Sequence, residues 1–407
     1  MATPDIRFQG FTGKWKTRQF SETSNMGSGG TPNAGIPGNY GGLIPFIRSG
    51  EIDKTETQLF ITNRGLHTSS ARLVAEGDLL LAIYGGSSGS IEGSTAGESA
   101  ISKINGAINQ AILAIYPSVE FDKLFMLSWF KAHKKEIIGT HLQGSQGNLS
   151  ARIVGALDYV SPPLDEQSSI GIFLSKIDEL LAKNKDRVSQ LRKYKQSMLV
   201  KMFPQDGASV PEIRFEGFTG NWELKTIENI AAKTLGGGTP ATSHAEYWNG
   251  DIPWIQSSDL SGDSIENPII RKRVSEPGIK NSATMLIPEN SIAVVTRVGV
   301  GKVSMMLEPY ATSQDFISLA DIKGNLRFIT IAVKQTVQAS LSQLQGSTIK
   351  GITRDELLSK KLRVPSTEEQ TAISSYFRQL DKLIELEEAK LAKLTQLKTA
   401  FLSKMFV

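Results

Sequence analysis

The chain has 407 residues, with 45 Lys and Arg against 41 Asp and Glu, a net charge of +4 and no cysteine. That length exceeds one ordinary core and suits two domains with connections, and the missing thiols exclude disulfides and thiolate metal sites, which fits a reducing cytoplasm. The mild net charge does not by itself mark a nucleic-acid binder, and no apolar run approaches the ~18 residues of a membrane span.

The opening MATPDIRFQG has neither the basic nor the apolar segment of a secretion signal, so a cytoplasmic chain is expected. From Pro4 the sequence reads PDIRFQGFTGKW, and from Pro211 it reads PEIRFEGFTGNW. Further matches follow in the same order. GGTP at Gly29–Pro32 answers GGTP at Gly237–Pro240, and IPFIRSGEI at Ile44–Ile52 answers IPWIQSSDL at Ile252–Leu260. LLLAIYGG at Leu79–Gly86 loosely answers IAVVTRVG at Ile292–Gly299. LQGS recurs at Leu142 and Leu344, and LVKMF from Leu199 answers LSKMF from Leu402. A repeat of roughly 200 residues is too long for a solenoid unit and reads as a duplicated pair of domains.

Each half is predicted to hold a Gly- and Pro-rich globular domain and then a long helix. Strands are expected at Leu79–Ile83 and Ile292–Val295, and helices over Phe121–Lys134 and Arg327–Leu344. The fold class is therefore mixed α and β. The expected boundaries are 1–164 for the first globular domain, 165–210 for the first helix and linker, 211–365 for the second domain and 366–407 for the second helix. The first domain carries 14 basic and 13 acidic side chains, the second 17 and 16, so any DNA contact must come from clustered rather than excess charge. Because the halves align end to end, a cyclic arrangement follows, with the termini close in space.

From Asp165 Gly and Pro thin out and apolar residues recur at heptad spacing, a coiled-coil pattern. Asp165 and Thr367 are candidate N-caps. The seam is broken at equivalent places, by Asn184 and Lys195 in the first helix and by Glu387 and Lys398 in the second. A parallel pairing would set Lys195 against Lys398. An antiparallel pairing sets Lys195 against Glu387 and Asn184 against Lys398, so an antiparallel coiled coil in that register is predicted. Helices of ~35 residues would span about 50 Å, with a pseudo-two-fold relation between the halves.

Nothing in the chain forms a complete catalytic motif. Ser161-Pro162-Pro163-Leu164 lacks the aromatic residue that a base-flipping methyltransferase would stack on its target. GVGK at Gly299–Lys302 lacks the upstream Gly and following Ser or Thr of a phosphate loop. His67, His133, His141 and His244 have no metal-ligand spacing.

The alternation of two globular domains with two matching helices resembles the specificity subunit of type I restriction–modification systems. The resemblance is carried by GGTP…EYWNGDIPWIQSSDL, VVTRVGVGK, LQGSTIKGI and VPSTEEQ…LDKLI…LSKMF in the second half. The first half departs more, with NYGGLIPFIRSGEI and AIYGGSSGS at those places. The resemblance implies a non-catalytic subunit that binds double-stranded DNA at an asymmetric, bipartite site, one half per domain. It implies two adenine methyltransferase partners that use S-adenosylmethionine, and restriction subunits that use ATP and Mg. No cofactor is expected in this chain. The alternative is a two-domain interaction or adhesion protein on a coiled coil.

If the domains read DNA, polar and basic side chains in loops must reach bases and phosphates. The candidates in the second domain are Gln256, Ser257, Ser258, Arg297, Lys302, Gln345, Ser347 and Lys350. Those in the first are Arg48, Ser49, Tyr84, Gln143, Ser145, Gln146 and Asn148.

Overall fold

The computed structural model describes residues 3–84, 95–141, 148–205, 207–342 and 351–407. Its contacts divide the chain into two units. One holds residues 1–187 and 387–407, and the other holds residues 188–386. The first unit thus contains both ends of the chain, as the cyclic reading predicts: the Ile6 N–H donates to the Lys404 carbonyl at 3.0 Å.

In the first unit, Ser24–Ser28, Ile112–Pro117, Leu79–Ala82 and Ser99–Ile101 form an antiparallel sheet in that order. A second sheet runs Phe60–Ile61, Tyr40–Ile47, Gly106–Ile108 and Arg72–Val74, with a parallel pairing between its two middle strands. The helix Lys123–His141 buries Phe125, Met126, Trp129 and Phe130 in the core beneath the first sheet. The second unit repeats the plan. Ala231–Gly236, Phe316–Ile322, Ser291–Val295 and Val303–Met306 form the antiparallel sheet. Lys272–Val274, Ile252–Ile255 and Ala311–Thr312 form the mixed one, and Leu326–Ser342 is the core helix. Both predicted strands and both core helices fall where the apolar runs place them, the first helix starting at Lys123 and running on to His141, while Leu344, the expected end of the second, lies outside the described residues.

The repeated PxIRF motif has a structural purpose. The Arg7 guanidinium grips Glu166 with Nε on Oε1 at 2.6 Å and Nη2 on Oε2 at 2.7 Å. Arg214 grips Glu369 in the same way, at 2.8 and 2.7 Å. Both carboxylates are buried and sit in the first turn of a long helix, where the helix dipole favours negative charge. The next residue completes the joint. Gln167 donates to the Pro162 carbonyl and accepts from the Asp122 N–H, and Gln370 does the same with Pro365 and Asn325. Gly171 permits that closeness in the first unit, since a Cβ there would stand 2.7 Å from Asp122 Oδ1 and 2.8 Å from the Phe125 nitrogen.

The helices span Leu164–Lys201 and Thr367–Lys404. The first begins one residue before its predicted cap, Asp165, and the second begins at its predicted cap, Thr367. Asp165 lies inside the first turn, behind Pro163, whose carbonyl accepts from the Glu166 and Gln167 N–H groups. Thr367 is the first helical residue, and Ser366 caps it through the Glu369 N–H at 3.3 Å. The KMF motifs end the helices inside cores. Met405 and Phe406 join the core of the first unit, and Met202 and Phe203 that of the second. Each buried side chain of that size contributes roughly 1.5–3 kcal/mol.

The helix pairing is antiparallel, as predicted, but its register differs. In the first unit Asn184 Nδ2 donates to Glu387 Oε2 at 2.7 Å, and Arg187 Nε reaches Glu387 Oε1 at 2.8 Å. Lys398 pairs with Asp178, which also holds Lys131 at 2.7 Å. In the second unit Lys195 pairs with Asp381, which also holds Arg327 at 2.9 Å. The predicted partners, Lys195 with Glu387 and Asn184 with Lys398, are therefore wrong. Asp178 and Asp381 lie one position beyond seam residues, so a count of seam positions alone misses them. They neutralise the two lysines, and the register follows them.

Two predictions test these joints. Glu369→Ala should cost about 3–5 kcal/mol in urea unfolding, because it strands Arg214 beside a core and removes the acceptor of Trp222 Nε1; Glu369→Gln should cost less. Burial pushes the Asp178 carboxyl up, but Lys131 and Lys398 outweigh it and hold its pKa below the usual carboxylate value. A depressed folded pKa means stabilisation that is present above the unfolded value, about 3.9, and lost as pH falls through the folded one. The stability gap between wild type and Asp178→Asn should therefore be widest near neutrality and close below about pH 4, as read by denaturation at stepped pH.

Candidate nucleic-acid interface

Several predicted residues meet at one edge of each unit, where strands end. In the second unit, Ile252–Ile255 leads into a short 3-10 turn at Ser257–Asp259. The Ile255 carbonyl accepts from the Ser313 N–H at 3.0 Å, and the Asp315 carbonyl accepts from Thr296 N–H at 2.8 Å. The Thr296 carbonyl in turn accepts from Ile352 N–H at 2.7 Å. Three loops are thereby tied edge to edge: the one after Ile255, the one after Val295 and the segment at 351–352. The first unit has the same ties. The Ile47 carbonyl accepts from Asn109 N–H at 3.4 Å, Ala111 from Ile83 at 2.8 Å, and Ile83 from Leu149 at 3.1 Å.

The turn after the first strand is closed by an acid in both units. Asp259 accepts from the Gln256 backbone N–H at 2.9 Å, and Glu51 from the Arg48 backbone N–H at 3.1 Å. The two acids differ in what else they hold. Asp259 is buried and pairs with Arg271 from the neighbouring strand region. Glu51 takes the Arg48 guanidinium itself, at 3.0 and 2.7 Å. That hydrogen bonding pulls the Glu51 carboxyl below its ordinary pKa and raises Arg48. Arg48 is thus presented as half of an ion pair.

Lys302 and Arg297 lie on the turn of the hairpin joining Ser291–Val295 to Val303–Met306. Gly299 and Gly301 turn it with φ of +81° and +95°, the left-handed region that suits glycine. GVGK is therefore a hairpin turn. Lys302 Nζ donates to the Ser257 carbonyl at 2.9 Å and ties this turn to the Gln256–Ser258 loop. Arg297 is exposed and has no ion-pair partner among the described residues. Ser258 is exposed, Gln256 and Ser257 half-buried.

In the first unit Ser49 is half-buried in the turn, Asn148 exposed, and Tyr84 half-buried against the core. Gln143, Ser145, Gln146, Gln345, Ser347 and Lys350 lie outside the described residues. Sequence reasoning passed over Gln110 and Gln314. Each is exposed in the three-residue segment that bridges the two strand ends of its unit. The repeat could have shown them, but their neighbours differ (NQA against SQD), so a single matching letter carried the signal.

The edge gathers hydrogen-bond donors, acceptors and basic groups on loops braced by backbone bonds, which suits a polar, extended ligand. Among the described residues, no group of three or more His, Asp or Glu is placed to hold a metal ion. No helix among them is long and apolar enough to cross a membrane.

Comparison with known proteins fits this duplicated plan. The family model of the type I restriction modification DNA specificity domain matches residues 12–192 and again residues 219–396. The chain belongs to this family, and its curated relatives are named specificity subunits. The MjaIX specificity subunit of Methanocaldococcus jannaschii is 30% identical over 172 residues, 40% of this chain and 39% of that protein. The EcoR124I/EcoR124II specificity subunit of Escherichia coli is also 30% identical over 172 residues, 40% of this chain and 42% of that protein. These matches span well under half of each relative's length. Among solved structures, the S subunit of a type I system from M. genitalium matches 100% of this chain and 99% of its own, with a TM-score of 0.64 at 16% identity. That likeness shows the fold, a duplicated pair of globular parts with long helices.

The edge makes a contrast that stability measurements can read. Arg297→Ala should shift unfolding free energy by less than about 0.5 kcal/mol, since the exposed side chain has no ion pair or hydrogen bond among the described residues. Asp259→Asn should cost about 1–3 kcal/mol, because it weakens the turn and the Arg271 pair together.

Proposed function

We propose that this chain is the DNA-recognition subunit of a type I restriction–modification complex and that it reads an asymmetric, bipartite site in double-stranded DNA. The recognition domains are residues 1–164 and 211–365, joined by spacer helices within 165–210 and 366–407. Each domain reads one half-site through its strand-end loops. The observation that carries this reading is the edge itself. Both units build it with the same backbone ties and furnish it differently, Arg48 and Tyr84 in one, Gln256 and Arg297 in the other. A shared frame with unlike side chains is what two different half-sites require.

The helices then serve as the docking surface for two adenine methyltransferase subunits, and for restriction subunits where these are present. Methylation with S-adenosylmethionine and ATP-driven cleavage belong to those partners, and the assembly works in the cytoplasm. Within the second domain, Arg297, an exposed cation with no ion-pair partner among the described residues, would read a base edge or grip a phosphate. Gln256, Ser257, Ser258 and Lys302 flank it. Gln345, Ser347 and Lys350, and in the first domain Gln143, Ser145 and Gln146, follow the core helices in sequence and belong to the same reading.

Native mass analysis of the tagged chain from its own host tests this directly. One copy with two copies of a methyltransferase is the expected mass, and methylation sequencing of that host should return a bipartite motif. A chain that purifies alone at low salt, with no methyltransferase, would favour the interaction-protein alternative. If Arg297 reads a base, Arg297→Ala should cost ~1–3 kcal/mol of DNA binding and relax one position of one half-site; unchanged target choice and affinity would remove it from the site.

A further inference from the structure

The GGTP motif occurs in both halves, and its threonine meets the glutamine that sequence reasoning passed over. Thr239 Oγ1 donates to Gln314 Oε1 at 2.8 Å. Thr31 Oγ1 donates to Gln110 Oε1 in the same place of the first unit. The two glycines before each threonine make the approach possible. A Cβ on Gly237 would stand 2.0 Å from the Ser313 carbonyl oxygen, and one on Gly29 would stand 1.9 Å from that of Ile108. Only a bare backbone lies this flat on the strand end, and it delivers the threonine hydroxyl to the glutamine beside it.

Each glutamine occupies the middle of the edge. Gln314 lies between Ser313, tied to Ile255, and Asp315, tied to Thr296. Gln110 lies between Asn109, tied to Ile47, and Ala111, tied to Ile83. All four side chains of the two Thr–Gln pairs are exposed. With Oε1 held by the hydroxyl, the amide Nε2 of each glutamine is left as a donor with no acceptor among the described residues. Around this point the edges differ between units, Arg48 against Gln256 and Tyr84 against Arg297, while the Thr–Gln pair is the same.

Resting on the proposed reading of DNA, we infer that Gln110 and Gln314 each donate an amide N–H to a phosphodiester oxygen. The contact sets the register of its unit on the duplex and reads no base. A side chain shared by two edges with different targets must meet what every half-site has in common, and that is the sugar–phosphate backbone. Thr31 and Thr239 are positioning residues that keep the amide turned outward.

The test uses the chain in the complex that copurifies with its methyltransferase partners and a duplex that this complex selects from a randomised pool. Affinity is read by anisotropy at several salt concentrations, for that duplex and for its single-base-pair variants. Gln314→Ala should weaken binding roughly 10- to 100-fold, the worth of one hydrogen bond from a neutral donor to a charged acceptor. The loss should be equal across all the base-pair variants, and the salt slope should not change, because no charge is removed. Gln314→Glu, isosteric and exposed, should fold as wild type and bind more weakly still, as its carboxylate faces phosphate. Thr239→Val should give a smaller, equally uniform loss. A loss confined to one base-pair position would overturn the inference and make Gln314 a base reader. Unchanged affinity in both glutamine variants, with wild type still selecting its duplex, would overturn it while leaving the DNA reading intact. A wild-type complex that selects no duplex would overturn both.

Discussion

The buried carboxylate in the first turn of each long helix is the constraint from which the rest follows. Glu166 and Glu369 are enclosed by protein, and a carboxylate so placed must be paired. The pairing comes from an arginine some 155 residues earlier in the chain, just ahead of the first strand of its domain. A bidentate Arg–carboxylate contact has a fixed plane and two parallel bonds. It therefore sets the direction in which the helix leaves its domain, where an apolar contact would only hold it nearby. The following glutamine adds two backbone bonds, so a few consecutive helical residues fix the joint. That explains why PDIRF and PEIRF are nearly identical while the loops beyond them diverge.

A second set of partly buried polar groups governs how the helices lie against one another within each unit. Lys131, Asp178 and Lys398 form one cluster, and Asp381 with Lys195 and Arg327 forms the other. Each joins the core helix of a domain to both long helices. The aspartate is shared between cations, and losing it would leave two positive charges in a poorly solvated place. The cluster thus specifies register more than it adds stability, because burial of the charges offsets much of their attraction. Burial of Lys334, repeat equivalent of Lys131, shows that cost: desolvation and the nearby Lys195 push its pKa down.

The duplication, the mixed α and β class, the long helices and the closeness of the termini were all legible in the sequence, because repetition and heptad spacing are properties of the chain itself. The helix register was not. A heptad count sees which residues face the seam, and Asn184, Lys195, Glu387 and Lys398 do interrupt it. It does not see Asp178 and Asp381, which flank the seam and reach across with their side chains. Nor does it see Lys131 and Arg327, which arrive from another helix. The strand-end loops were legible by position, since loops after apolar runs carry polar side chains. The roles of those side chains were not, and Arg48 shows why: its obvious positive charge is occupied by Glu51, three residues on.

The same comparison explains how one scaffold can serve two targets. The ties across each edge are backbone to backbone, from Ile255 to Ser313, from Thr296 to Asp315 and Ile352, and their counterparts in the first unit. Backbone bonds do not depend on which side chains the loops carry, so Arg48 and Gln256, or Tyr84 and Arg297, can exchange character without moving the frame. What cannot vary freely are the groups that position loops through side chains or demand glycine: the closing acid of the first turn and the GGTP approach to the strand end. Both are retained in the two halves despite their divergence elsewhere. A recognition surface built this way changes its reading by substitution at exposed points, while its grip and geometry rest on groups that both halves hold in common.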